Sequence, residues 1–375
     1  MHVVEMSREE QEQSVEKARE VAAEFRRLGP AADEQNTFCY ESAGIMKESG
    51  LVGLAVPKEF GGMGADIWTV SRVATELSRG DGGIALSYNM HYIMVGIMLG
   101  LLTDEQKKEW LPRIADGDIL CGTFSEARGF GGLADTRAVP QPEGGWRLYG
   151  KKTWGTLSEV SEIWSGSATI TDADGNLPED FETRVANEHN FIADFNCGNV
   201  EGVRIEKTWN ALGMKATGTH TIHFDGYYIP ESGDCGEMRG GILAKKHLGP
   251  TFAASVGADV ETKDLGYIRD GIGWMKVKNE TARRVLHSTC QQLLDGDDEN
   301  WDPMLRVPLI GIAKVFCTEN CLDVARKAMH LVGGMSYRKG HPLERLYRDA
   351  AAGPFQPLTE EQTYMVIGDV ELAGD

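Results

Sequence analysis

Three things are scarce in this chain of 375 residues, and each scarcity closes off a class of function. Basic side chains are outnumbered, with 38 Lys and Arg against 57 Asp and Glu. No segment gathers them into the stripe that neutralising a phosphate backbone requires, so nucleic acid is not an expected partner. The net charge of −19 reads as a solvated surface kept apart by self-repulsion. Long apolar runs are missing too: the longest, 92–102, falls well short of the ~20 residues that span a membrane, and no membrane insertion is expected. Paired cysteines are the third absence. Cys39, Cys121, Cys197, Cys235, Cys290, Cys317 and Cys321 are odd in number and show no zinc-type spacing. Reduced thiols in a cytoplasm fit that pattern. The opening residues, with Glu5, Arg8, Glu9 and Glu10, lack the basic start and apolar stretch of a signal peptide, so a cytoplasmic location is the expectation.

What the chain does contain is glycine, 45 residues in all, well above the ~7% average, so the backbone turns tightly in many places. Its length allows two or three packed domains. In 1–118 the periodicity is helical. Ser7 and Glu10 form a capping-box pattern, followed by Val15, Ala18, Val21, Ala22 and Phe25 at helical spacing. A further helix is expected over 68–77, a helix apolar all round near 93–101, and a charged helix in 101–117 that stops at Pro112. In 119–229 the period shortens: 146–149, 163–170 and 219–224 are short runs rich in aromatic and β-branched residues. The turn TDADGNLP (171–178) reads as a hairpin-like loop, and 179–188 as an acidic, solvated excursion. In 230–375 helical spacing returns, at 280–294, 309–331 and 359–372. The expected architecture is α+β, with an N-terminal helical domain (1–118), a middle β domain (119–229) and a C-terminal helical bundle domain (230–375).

Four segments fall in one order along nearly the whole chain. The first pairs LVGLAVPKEFGGMGAD (51–66) with TDEQKKEWLPRIADGD (103–118). FSEARGFGGLADTRA (124–138) followed by GKKTWGT (150–156) is the second, WNALGMKATGTHTIHF (209–224) the third, and LVGGMSYRKGHPLERLYRDA (331–350) the fourth. Together they resemble the acyl-CoA dehydrogenase family of flavoproteins. The resemblance implies N-terminal helices, a middle β domain and a C-terminal four-helix bundle, assembled as a homodimer or homotetramer with FAD in a cleft between domains and subunits. It further implies an oxidoreductase of lipid metabolism, acting on an acyl thioester of CoA or a carrier protein, or on another small molecule. An electron-transfer flavoprotein or a flavin reductase is then the redox partner.

A bound isoalloxazine needs donors near its pyrimidine end, a hydrogen-bonding group near N5 and an aromatic or apolar wall. A strand over 150–156 places Trp154 and Thr156 on the same face, since side chains alternate with period two. The resemblance gives Trp154 the role of wall and Thr156 that of the hydroxyl near N5; taken alone, the strand reads as a half-buried one with a core-filling Trp. Phe124 and Ser125 match the family pair at the pyrimidine edge, and Thr359 joins the cofactor-binding set. Where the family shows Glu-Pro and then Gly-Ser-Asp, this chain has Glu126-Ala127-Arg128-Gly129-Phe130-Gly131-Gly132. Gly131 and Gly132 are left to offer backbone N–H groups to a substrate. Gly333 and Gly334 resemble the glycine pair that approaches the FAD diphosphate of a neighbouring subunit, and read otherwise as a helix terminator. Lys276 and Lys278 replace the family's Arg and Phe-Gly and could meet a phosphate.

Removing an α-proton while hydride leaves the β-carbon needs a carboxylate over the ring. Counting from Arg348-Asp349 to Thr359 places Pro357 where the family's Glu belongs, and the alternative position reads Leu248-Gly249-Pro250-Thr251, without an acid. Three readings follow. A relocated carboxylate works, with Glu360, Glu361 or Glu126 as candidates, although acids in a helix's first turn often serve only the dipole. Alternatively the chain is a flavin-dependent monooxygenase on the same fold, with His91 near the ring unless that histidine is structural. In the third reading it is a non-catalytic binding or assembly subunit.

Overall fold

The computed structural model describes residues 6–126, 133–238, 266–294, 303–337, 339–356 and 358–373. Gly131, Gly132, Pro357 and 248–251 lie outside them.

Helix α1 (Arg8–Gln35) starts where the capping pattern predicts: Ser7 Oγ accepts the Glu10 N–H at 3.2 Å, and Glu10 Oε2 accepts the Ser7 N–H at 2.6 Å. Its apolar stripe, Val15, Ala18, Val21, Ala22 and Phe25, is buried against α3 (Ile67–Gly80). Between them lie α2 (Tyr40–Ser49) and two 3₁₀ turns. Helix α4 (Gly82–Leu101) is apolar all round and is capped by Asp81. It is long and apolar enough to cross a membrane by length and composition, which the shorter run 92–102 had concealed. Most of it is buried inside the protein, between the other helices and strand β1. Helix α5 (Asp104–Ala115) does not stop at Pro112. Proline removes one backbone donor, but Leu111 and Ile114 on either side of it are fully buried, and that packing carries the helix through.

The middle region is an eight-stranded sheet, β1 (Leu120–Thr123), β2 (Arg137–Pro140), β3 (Trp146–Gly155), β4 (Ile163–Ile170), β5 (Glu188–Asp194), β6 (Val203–Glu206), β7 (His220–Ile229) and β8 (Asp234–Glu237). Its order is β6-β7-β3-β2-β4-β5-β8, with β1 parallel to β4. Strand β8 pairs with β5, so the sheet runs past the expected boundary at 229. The loop 171–178 is followed by a short helix, α6 (Phe181–Ala186), and the two together connect β4 to its antiparallel partner β5, a hairpin-like connection with a helical excursion in it. Trp164, Phe191, Phe195, Phe224 and Tyr227 fill one side of the sheet. Helix α4 lies so close to β1 that a Cβ on Gly122 would sit 2.0 Å from Met94 Sδ.

The C-terminal region contributes α7 (Gly266–Leu294), α8 (Pro303–Val332), α9 (Pro342–Ala350) and α10 (Glu360–Ala373). Helices α7 and α8 pack along each other, α10 packs on α8, and α9 bridges back to the N-terminal helices. Order and grouping are therefore α+β, strands between two sets of helices.

Candidate functional site

The end of β3 is irregular. Lys152 pairs with Ile222 and Gly155 with His220, so three steps on β3 face two on β7. The extra residue is a β-bulge, and Trp154 in it takes φ 62°, the left-handed region that side chains avoid. Thr156 N–H turns back to the Trp154 carbonyl at 2.9 Å. The expected alternation of Trp154 and Thr156 on one face is thus broken: Thr156 lies beyond the strand and is buried, whereas Trp154 is 57% exposed. Its indole is still held, edge-on against Trp209 at 5.4 Å between centroids.

Phe124 and Ser125 arrive beside this bulge, because the Ser125 carbonyl accepts the Thr153 N–H at 2.9 Å. Phe124 is half-buried and Ser125 buried. Four of the expected cofactor residues, Phe124, Ser125, Trp154 and Thr156, therefore meet at one end of β3. Around them stand residues to which no role had been attached. Trp209 Nε1–H donates to the Met214 carbonyl at 3.0 Å, and the same carbonyl accepts Thr217 Oγ1–H at 2.9 Å. Thr219 links Thr217 to Thr156 through their hydroxyls. All of these lie in the third quoted segment, where the spacing Thr217-Gly218-Thr219 was the available signal.

Next to Thr156, Glu159 collects Tyr40 O–H at 2.5 Å, Lys207 at 2.6 Å and His220 Nε2 at 3.1 Å. Burial opposes its charge, but hydrogen bonds from His220, Lys207 and Tyr40 win and hold its carboxyl at about 2. His220 Nδ1 accepts the Trp209 N–H at 3.2 Å, which leaves Nε2 as the protonated nitrogen facing Glu159. This cluster braces Trp209, the ring that stands against Trp154.

The other expected residues are placed elsewhere. His91 is fully buried in α4; Nε2 lies 3.0 Å from the Val52 carbonyl and Nδ1 accepts the Leu120 N–H at 3.1 Å. Burial lowers it to about 4, so it is a neutral brace between a 3₁₀ turn and β1, with both nitrogens spent. Gly333 and Gly334 are exposed in the 3₁₀ turn Gly333–Tyr337, where Gly333 at φ 77° ends α8. Thr359 caps α10 in a reciprocal pair with Gln362. Glu360 accepts the Tyr364 hydroxyl at 2.7 Å, and Glu361 is exposed in the same first turn. Lys276 and Lys278 pair with Glu280 and Asp323.

Glu126 is engaged as well. It accepts Lys152 Nζ at 2.6 Å, Thr136 Oγ1 at 2.7 Å and the Asp135 N–H at 2.7 Å. Burial works against its charge, but Lys152 and Thr136 keep its carboxyl below the usual range. A carboxylate so satisfied makes a weak base. The exposed indole, the hydroxyls of Ser125 and Thr156 and the adjoining backbone nevertheless supply the wall and polar groups that an isoalloxazine requires.

Against known proteins, the N-terminal-domain model of acyl-CoA dehydrogenases matches residues 8–118 and the C-terminal-domain model residues 261–367. The short-chain specific acyl-CoA dehydrogenase of Bos taurus mitochondria is 28% identical over 370 residues, covering 91% of this chain and 84% of that protein. Butyryl-CoA dehydrogenase from Megasphaera elsdenii shares the fold with a TM-score of 0.83 at 18% identity, over 98% of this chain and 99% of its own. TdsC from Paenibacillus sp. A11-2, solved with FMN and indole, does so at 0.81 and 17%, over 97% and 98%. With both terminal domains matched and the α, β, α order in place, this chain belongs to the acyl-CoA dehydrogenase family of flavoprotein oxidoreductases.

Proposed function

We propose that the chain binds FAD at the end of β3 and oxidises an acyl thioester, of CoA or a carrier protein, at the α,β bond. The observation that carries this reading is Trp154: a bulge forces it into a disfavoured backbone conformation and turns its indole outward beside Ser125 and Thr156. Strain of this kind persists where surrounding structure imposes it, often at functional sites. Trp154 would wall the flavin, Ser125 would meet its pyrimidine edge, and Thr156 would lie near N5. The flavin would accept the hydride. The reading includes a homodimer or homotetramer, with Gly333 and Gly334 serving the partner's cofactor, and an electron-transfer flavoprotein as the acceptor. The odd number and scattered spacing of the seven cysteines accord with a reducing, cytoplasmic setting.

Trp154→Gly separates strain from function. Glycine tolerates φ 62°, so the variant should melt no lower than the parent, with a gain of ~1 kcal/mol in the bulge offsetting lost packing on Trp209. It should also lose flavin more readily in ultrafiltration. A variant that melts lower yet keeps flavin as tightly would show that the indole is a packing residue.

The base is the open element, and of the two candidates on α10 Glu361, exposed in its first turn, is the one not engaged with Tyr364, which donates to Glu360. Anaerobic bleaching of the holoprotein by a panel of acyl thioesters tests the reaction. Glu361→Gln should slow bleaching by ~10² or more, while full bleaching in both Glu361→Gln and Glu360→Gln would remove both candidates.

A flavin-dependent monooxygenase reading draws on one specific observation: Glu126 and Glu159, the carboxylates beside the candidate site, are both held in their charged form by hydrogen bonds. TdsC, solved with FMN and indole, illustrates the same fold holding a small molecule that is not a thioester. Oxygen uptake dependent on a flavin reductase, with no thioester bleaching, would favour it.

A further inference from the structure

We infer that Thr217 and Thr219 fix the direction of the proton on Thr156, leaving its hydroxyl an acceptor toward the ligand beside it and so favouring the reduced over the oxidised flavin; this rests on the FAD reading above. Each hydroxyl owns one proton. The Met214 carbonyl can only accept, and Thr217 Oγ1 lies 2.9 Å from it, so Thr217 donates there. Thr217 then has no proton for Thr219, and the 2.7 Å contact between them must be a donation from Thr219. Thr219 is spent in its turn, so the 2.9 Å contact with Thr156 is filled by the Thr156 proton.

Several features keep this chain from reversing. Thr156, Thr217 and Thr219 are all buried, so water does not compete for their protons. The carbonyl at the end of the chain belongs to Met214, which is held at φ 54° and whose N–H is bound by Asp349 at 2.7 Å. The same carbonyl takes the Trp209 indole N–H, so the group that polarises the hydroxyls also fixes the ring standing against Trp154. The Thr156 N–H is not a substitute donor, because it is used on the Trp154 carbonyl.

Thr156 Oγ1 therefore has only lone pairs to offer. Flavin N5 carries a proton in the reduced ring and only a lone pair in the oxidised ring. An acceptor beside N5 bonds the first and opposes the second, and donating to the oxidised ring would require Thr156 to abandon Thr219. Thr217 and Thr219 are thus positioning residues for the redox equilibrium, acting through Thr156.

The test is the midpoint potential of the FAD-loaded protein, followed by spectroelectrochemistry in the parent, Thr219→Val, Thr219→Ser and Thr217→Val. Either valine frees the Thr156 proton to point outward, so the reduced-to-oxidised ratio at fixed potential should fall about tenfold, ~30 mV for a two-electron couple. Thr219→Ser keeps the hydroxyl and should keep the parent's value, an outcome that mere packing damage would not produce. If Thr219→Val fails to fold, Thr217→Val decides alone. Valine variants that hold FAD at the parent's potential would overturn the inference and leave the cofactor reading intact; a parent protein that takes up no flavin would overturn that reading and this one with it.

Discussion

Lys152→Met should destabilise the protein by ~3–5 kcal/mol, a fall of roughly 10 °C in thermal midpoint, although the side chain it replaces is wholly buried and touches no surface. Among the described residues Lys152 Nζ donates to Glu126 Oε1 at 2.6 Å and to Ser167 Oγ at 3.4 Å. Methionine fills much the same space, so the cost is electrostatic: Glu126 would be left charged at 11% exposure, close to Glu188, whose carboxyl burial already pushes up. The double variant Lys152→Met with Glu126→Gln should recover part of the loss, because no buried charge is left unpaired, although the single amide oxygen can accept only one of the Asp135 and Thr136 N–H groups that the two carboxylate oxygens take in the parent. Acid should narrow the gap. In the parent, Glu126 is depressed, so its contribution is present above the ordinary Glu value of 4.5 and is lost as pH falls through its folded value. In the single variant the same carboxyl, buried without a cation, binds a proton more readily than in the unfolded chain, and stability rises as pH falls. Melts at pH 7 and pH 5 that show an equal, small deficit would make the pair a bystander.

The succession of helices, strands and helices was legible because it is written in local terms. Ser7 and Glu10 are three residues apart, and the α1 stripe repeats every three or four. What escaped depends on partners distant in sequence. Strand β8 is Asp-Cys-Gly-Glu, with nothing β-branched in it, and exists because β5 supplies a free edge. Pro112 was taken as a stop because its missing donor is a local fact, whereas the burial of Leu111 and Ile114 is not.

At the site, the tryptophan and the two residues at 124 and 125 could be assembled by resemblance, but the bulge could not. Register on β3 is set by Ile222 and His220 on β7, some seventy residues later, and a single extra residue breaks the alternation. Separations of 26 to 39 residues likewise hid Lys152 behind Glu126, and hid the backbone partners that make His91 structural. Long-range pairing is also why the hydroxyl chain could not be drawn beforehand: Thr217 and Thr219 are near neighbours, but Thr156, just past the end of β3, lies 63 residues from Thr219 in sequence.

Removing the guanidinium of Arg348 should cost a comparable ~3–5 kcal/mol, this time by unfastening α9 from the N-terminal helices. Arg348 grips Asp33 of α1 with two nitrogens at 3.1 and 2.7 Å, Glu344 at 2.6 Å and the Leu212 carbonyl at 2.7 Å, and is only 13% exposed. Arg345 holds Asp81, the cap of α4, at 2.7 Å nearby. Next in sequence stands Asp349, pushed up to about 6 by burial and by the charges of Asp81 and Asp33, against the Met214 N–H and Arg345. Arg348→Ala removes one of the two cations among these acids. Arg348→Lys keeps the charge but not the fork that matches a carboxylate, and should lose about half as much. The sign of the pH effect follows from Asp349. Its folded value lies above the ordinary 3.8, so its contribution is full below about 4 and is lost as pH rises through about 6. The parent should therefore gain from this group on acidification below pH 6. Arg348→Ala should gain more, since it takes a cation away from the group of acids in which the buried Asp349 sits. Asp349→Asn keeps an oxygen for the Met214 N–H and should flatten the parent's slope between pH 4 and 6. Thermal midpoints of the four proteins across that range decide the matter, and an Arg348→Ala variant whose deficit is the same at every pH would mean that lost packing, and not unpaired charge, is what the arginine prevents.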